Sequence, residues 1–228
     1  MTRLPLRLFA LLTALAMCGL VAACGGDDEE KAQPTPTEAP PSPAETSGCE
    51  SVEAPQPKKG ADLPKPKQRL DRAKTYVATV VTTCGDFEIT LDAKRAPRTG
   101  GSFKYLADKG FFDGLTFHRI VSGFVIQGGD PSGDGSGGPG YSVVEAPPGG
   151  LTYGKGVVAM AKTATEKPCT SGSQFFVVTA EDAQLPPEYA LLGKVSKGQE
   201  VVDAIGVLPT TGDEQPAEPV VIRSIDVK

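Results

Sequence analysis

The chain of 228 residues contains no tryptophan, no asparagine and a single histidine, and only 6% of it is aromatic. One imidazole, His118, excludes multi-histidine metal sites and any mechanism that needs two imidazoles. Positive charge is also in deficit: 23 Lys and Arg against 28 Asp and Glu leave a net charge of −5. The basic footprint of a nucleic-acid-binding protein is therefore missing. No apolar run is long enough for a stable membrane span, since the longest, residues 8–23, falls short of the ~20 residues a bilayer requires. What the chain has in quantity is 27 glycines and 21 prolines, unevenly spread. The length suits one globular domain with appendages.

Arg3 and Arg7 precede the uncharged run 8–23, giving the charge order of a secretory signal over residues 1–23. The run ends in Val21-Ala22-Ala23-Cys24, followed by Gly25-Gly26 and four acidic residues. Small residues before a cysteine resemble the lipobox of bacterial lipoproteins, in which the cysteine is diacylglycerylated and becomes the new first residue. The resemblance implies a lipid on Cys24, a membrane-anchored protein, and a domain on the extracytoplasmic side of a bacterial cell membrane. Two acyl chains on one residue would hold where one would not. The alternative is a signal cleaved elsewhere, with Cys24 discarded or idle. Loss of Arg3 and Arg7 would take the net charge to −7.

Residues 24–74 hold nine prolines, ten acidic and eight basic residues, and Val52, Leu63 and Leu70 are the only large aliphatics. Such a stretch buries too little apolar surface to offset its ordering entropy, so it reads as a mostly disordered tether. Fully extended it would reach roughly 160 Å, and as a flexible coil about 40 Å. From about Cys49 onward it has a reason to pack on the domain, because a cysteine there has possible partners. Cys49, Cys84 and Cys169 remain in the exported part, where disulfides are allowed. An odd number leaves at least one thiol unpaired within the chain. Cys49–Cys84 is the preferred pair; Cys49–Cys169, Cys84–Cys169 and no bridge stay open.

From Thr75 to the end, residues 75–228, the pattern is that of a folded domain. Residues 75–83 are rich in β-branched side chains, Cys84-Gly85-Asp86 reads as a turn, and residues 86–92 alternate polar and apolar without a fault. That is a hairpin with one buried face. Pro97 opens a helix with Phe103, Leu106 and Ala107 on one side and Gly110 placed to end it, while Gly100 and Gly101 weaken its first turns. Short apolar runs separated by glycine-rich turns follow at 115–120, 124–127, 141–144, 156–161, 174–178 and 190–195. A second short helix reads at 199–205 and a last strand at 220–227. Many short strands with few helices predict a mainly β fold, a closed antiparallel barrel.

Phe117-His118-Arg119-Ile120, Gly123-Phe124-Val125-Ile126-Gln127-Gly128-Gly129-Asp130 and Ser171-Gly172-Ser173-Gln174-Phe175-Phe176 resemble the signature segments of the cyclophilins, as do Met160-Ala161 and Leu191-Leu192-Gly193-Lys194-Val195. The resemblance implies an eight-stranded barrel capped by two helices and cis–trans isomerisation of X-Pro peptide bonds in proline-containing polypeptides. Residue by residue, it implies that Arg119 is the catalytic arginine and that Phe124, Val125, Phe176 and Leu185 wall the proline pocket. Gln127, the backbone of Met160, Ala161 and Lys162, and Tyr189 then hold the substrate backbone or its carbonyl. No cofactor and no metal are required. A guanidinium is always charged, so it can donate to the prolyl nitrogen of a twisted amide at any pH, and no acid or base need be tuned. His118 accordingly reads as structural.

Three positions depart from the family pattern. Gln184 stands where many members carry a tryptophan that lines the cyclosporin site, which implies weak cyclosporin binding, with inhibition at micromolar levels or above. Tyr189 stands where many have histidine, and Val125 is shorter than the frequent methionine. The stretch Gly133-Asp134-Gly135-Ser136-Gly137-Gly138 satisfies GxGxxG literally, yet it leads through Pro139 into another strand rather than a helix, so no dinucleotide site is expected. The expected activity is thus an anchored isomerase assisting the folding of exported proteins. The alternative is a proline-peptide binding module or holdase with incidental activity, which has no need of Arg119. Nothing signals oligomerisation, and a monomer is the default.

Overall fold

In the computed structural model, which describes residues 48–59 and 61–228, the β-branched run after Thr75 forms β1 (Tyr76–Thr82) and turns at Cys84 into β2 (Gly85–Leu91). The two pair along their whole length, from Tyr76 opposite Leu91 to Thr82 opposite Gly85. Burial alternates as the pleat requires, with Ala78, Val80, Phe87, Ile89 and Leu91 inward. Residues 1–23, expected to form a secretory signal, and Cys24, expected to carry a lipid, lie outside the described residues.

Pro97 begins α1 (Pro97–Asp108), which lays Phe103, Leu106 and Ala107 on the sheet. The Glu145 carboxylate accepts from the backbone N–H of Arg98 (3.2 Å) and Thr99 (2.7 Å), so a residue distant in sequence satisfies donors that the helix start leaves open. Beyond α1 come β3 (Leu115–Thr116), β4 (Arg119–Val121), β5 (Val125–Gly128), β6 (Val143–Val144), β7 (Val157–Met160), β8 (Thr170–Ser171), β9 (Phe175–Val178), β10 (Leu191–Lys197), α2 (Gln199–Ile205) and β11 (Val221–Val227). Phe103, Phe112, Phe117 and Phe175 form the aromatic centre of the core, with ring centroids 4.9 to 6.0 Å apart.

The main sheet runs β3-β11-β1-β2-β10-β7-β9-β5-β4, and β6 with β8 makes a small second sheet. This corrects the expected closed eight-stranded barrel: the sheet is curled but open, and it has nine strands. The reason lies in the single apolar run 115–120. Its first half pairs with β11 and its second with β5, and Phe117 and His118 between them turn inward and are buried. Both edges of the sheet therefore belong to one short stretch of chain, and they do not pair with each other.

Residues 48–59 and 61–74, assigned from composition to the tether, have no helix or strand but lie against the domain as a strap. Cys49 is disulfide-bonded to Cys84. The backbone N–H groups of Glu50, Lys58, Leu63 and Leu70 donate to the carbonyls of Thr83, Pro131, Pro139 and Pro97. Leu70 is only 4% exposed and joins the main core. Gly100 and Gly101, which read as weaknesses in a helix, are where the strap presses. A Cβ on Gly101 would sit 2.6 Å from the carbonyl oxygen of Gln68, and one on Gly100 would overlap the Leu70 side chain.

Candidate active site

Strand register assembles the site. Gln127 of β5 stands opposite Arg119 of β4 on one side and Phe176 of β9 on the other, and Phe176 in turn faces Ala159 of β7. Because successive residues point to opposite faces, Ile126, Met160, Phe175 and Val177 enter the central core while Val125, Ala159, Phe176 and Val178 belong to a second apolar cluster on the other face. That second face carries the pocket. The Met160 side chain is buried in the core, and its N–H donates to the Ala190 carbonyl; the role implied for it was one of backbone, not side chain.

The pocket holds about 140 Å³ and is lined by Arg119, Phe124, Val125, Gln127, Ala161, Lys162, Phe176, Leu185 and Tyr189. Every candidate residue but Met160 is thus brought to one cavity. Tyr189 stands edge-on to Phe176, centroids 5.5 Å apart, and its carbonyl accepts from the Tyr153 hydroxyl at 2.6 Å. Burial pushes the Tyr153 phenol up to about 12, so that hydroxyl remains a donor. Lys162 lays its stem into the wall, with Nζ 5.5 Å from the Tyr189 ring centroid and 3.4 Å from the Glu188 carboxylate.

On the polar side, Arg119 donates from Nε to Glu214 Oε2 at 2.6 Å and from NH1 to Gln127 Oε1 at 3.5 Å. Gln127 passes the chain on, donating to Gln174 at 3.0 Å, and Gln174 donates to the carbonyls of Gly135 and Gly137 at 2.9 Å each. The buried carboxylate of Asp130 pins the same glycine stretch through the N–H groups of Ser132, Asp134 and Gly135. A wider groove of about 540 Å³ opens beyond Gln127, Ala161 and Lys162, bordered by residues 135–142 and Gly172 to Gln174. No helix follows the glycines, so this stretch walls a cleft and does not cradle a nucleotide.

Residues 77–227 match the family model of the cyclophilin type peptidyl-prolyl cis-trans isomerases. The chain belongs to that family. The probable peptidyl-prolyl cis-trans isomerase A of Mycobacterium leprae is 38% identical over 168 residues, which span 66% of this chain and 91% of the relative. Isomerase B of Streptomyces anulatus is 40% identical over 177 residues, 68% of this chain and 98% of that one. The crystal structure of a Cryptosporidium parvum cyclophilin superposes with a TM-score of 0.63 at 31% identity, covering 68% of this chain and 98% of that one. A second structure of that protein, determined in the presence of the dipeptide Ala-Pro, gives 0.62 at 30% identity, with 67% and 98% covered. The protein is accordingly an isomerase of X-Pro peptide bonds.

In this cyclophilin His118 is 8% exposed, and neither ring nitrogen has a hydrogen-bond partner among the described residues. Burial is the main cause that lowers its pKa; the Arg119 charge adds to this, and Asp130 opposes it. Burial thus disfavours the charged imidazole, and His118 is not among the residues that line the pocket. Gln184 is exposed, with φ of 51°, and does not line the pocket. Cys169 is not disulfide-bonded. Two groups at the site escaped the reading of the sequence. Gln174 lies within the Ser171–Phe176 segment, next to Phe175 and Phe176, and in the structure its carbonyl accepts from the Ala161 N–H at 2.9 Å. Glu214 is 95 residues from Arg119 and carried no signal at all.

Proposed function

We propose that this cyclophilin isomerises X-Pro bonds of exported proteins at the outer face of the cytoplasmic membrane, held there by a lipid on Cys24, with Arg119 as the catalytic residue. The row Arg119–Gln127–Phe176 across three paired strands, closing on a cavity of about 140 Å³ with Phe124, Val125, Phe176 and Leu185 among its walls, is the observation that carries the reading. Rotation about an X-Pro bond has a barrier of about 18–20 kcal/mol because twisting breaks amide resonance. In the twisted state the prolyl nitrogen regains a lone pair. Among the described residues Arg119 spends only Nε and one NH1 proton on partners, and its remaining N–H groups donate to that nitrogen while Phe124, Val125, Phe176, Leu185 and Tyr189 hold the ring. Gln127 fixes the carbonyl side, and the groove beyond it takes the chain on one side of the proline.

The contact is stronger in the twisted state than in either planar state, which is what accelerates rotation. No bond is made or broken and no proton moves. A pure binding module would have no use for the arginine. The relatives support the isomerase, and the Ala-Pro structure of a relative supports an X-Pro dipeptide unit as ligand. Gln184 offers no indole where many family members have one, and weak cyclosporin binding is part of this reading.

The decisive measurement is cis–trans exchange of a short X-Pro peptide by NMR. Arg119→Ala is expected to slow exchange by about 10²–10³-fold with modest loss of binding, and equal rates would end the mechanism. For the anchor, Cys24→Ala is expected to move the protein from the membrane fraction to the medium, and unchanged membrane retention would refute the lipid.

A further inference from the structure

We propose that Glu214 is a positioning residue for isomerisation, acting by locking the guanidinium of Arg119 in the plane that faces the substrate. The inference rests on the reading of Arg119 as the catalytic group. Three observations carry it. The Glu214 carboxylate accepts from Arg119 Nε at 2.6 Å, which leaves the terminal nitrogens to the pocket and to Gln127. The carbonyl of the same Glu214 accepts from Ile120 N–H at 2.8 Å, so one residue grips the arginine's side chain and its strand together. And Glu214 adopts φ of 62° within a clasped loop, in which Thr211 N–H donates to Gln215 and Ala217 N–H to Pro209.

Left-handed backbone is unfavourable for glutamate and free for glycine. Glutamate at such a position argues for its side chain. The pair is a poor stability device, since the Arg119 and Glu214 side chains are 35% and 47% exposed and ion pairs that open to water contribute little. Orientation is the remaining benefit. A guanidinium tied at Nε by a carboxylate and at NH1 by an amide has lost its rotational freedom before substrate arrives. A misplacement on the order of 1 Å in a catalytic group lowers rates by up to about 10²-fold.

Glycine supplies the discriminating variant, because Glu214→Gly keeps the backbone conformation and the Ile120 contact while removing the carboxylate. With a short Ala-Pro peptide, Glu214→Gly is expected to slow saturated cis–trans exchange by about 10- to 100-fold, to leave peptide affinity within about twofold, and to hold or raise Tm. The Arg119 Nε–H resonance should shift and exchange faster with water. Glu214→Gln, which keeps an acceptor, should lose less. In the double variant with Arg119→Ala, Glu214→Gly should cause no further loss, because it acts through the arginine. Wild-type exchange in Glu214→Gly beside an inactive Arg119→Ala overturns this inference and leaves the mechanism standing. So does slowing that comes with a fall in Tm and an unmoved Nε–H resonance, the mark of a merely structural role. An active Arg119→Ala removes the mechanism itself.

Discussion

The pocket face and the strap are built by opposite means. The pocket stands on paired strands, where register alone sets Arg119, Gln127 and Phe176 side by side. The strap has no regular structure, and is held by one disulfide, four backbone hydrogen bonds to the domain, the Glu50–Arg223 ion pair, the Lys58 ammonium on the Asp113 carbonyl and a buried leucine. The first region contributes chemistry and, through half-exposed polar groups, little stability. The second contributes stability and touches no reacting group. The comparison teaches that order in a proline-rich segment can be imposed by a few strong local attachments when its own composition would not support it.

A clean separation of the two properties is the way to break this comparison. Arg119→Ala should have the largest effect, about 10²–10³-fold in exchange rate, with the midpoint of urea unfolding unchanged. A shift in that midpoint would mean the pocket face also carries the fold. Next comes Cys49→Ser, the mirror image. Opening a cross-link whose ends are 35 residues apart should remove roughly 3–4 kcal/mol of stability. At roughly 2–4 °C per kcal/mol for a domain of this size, Tm should fall by about 10 °C. Exchange at 25 °C should stay as in the wild type, and a slow enzyme would show the strap reaching the site.

Gly101→Ala sharpens the contrast further. In an isolated helix the change would stabilise by about 1 kcal/mol; under the strap it should destabilise by about 1–3 kcal/mol, because the new methyl meets the Gln68 backbone. Calorimetry showing a gain would mean the strap does not press there.

The smallest effect is in pH. Folding holds the pKa of His118 below its ordinary value of 6.5, so on acidification the unfolded chain takes up a proton that the folded chain refuses. The unfolded state then binds more protons, and stability falls as pH drops below about 6.5. Urea midpoints between pH 5 and 8 should show this slope in wild type and a smaller one in His118→Gln. The exchange rate should stay flat from pH 6.5 to 9, since a guanidinium is charged throughout that range.

Much of the sheet was legible in the chain because period-two burial is local. The hairpin at Cys84, α1 from Pro97 and α2 at 199–205 follow from alternation, a proline at a helix start and a three-to-four spacing. The run 115–120 was read as one strand because its apolar pattern is continuous, whereas its two halves find different partners. Met160 was expected to meet substrate through its backbone, and its side chain takes the opposite face from that of Ala159 and enters the core. Glu214 was invisible, because nothing near residue 214 announces an arginine 95 positions earlier.

By itself the amino-acid order determined the β1–β2 hairpin and its buried face, both helices, the closing strand and most of the apolar runs that become strands. These are matters of neighbours two to four positions apart, where side-chain geometry suffices. Only the tertiary structure decided that the sheet stays open at residues 117–118, that a proline-rich strap rests on two helix glycines, and that a glutamate from a distant loop ties down the arginine. Each of those depends on groups far apart in the chain meeting in space, and such meetings are set by the packing of the whole molecule.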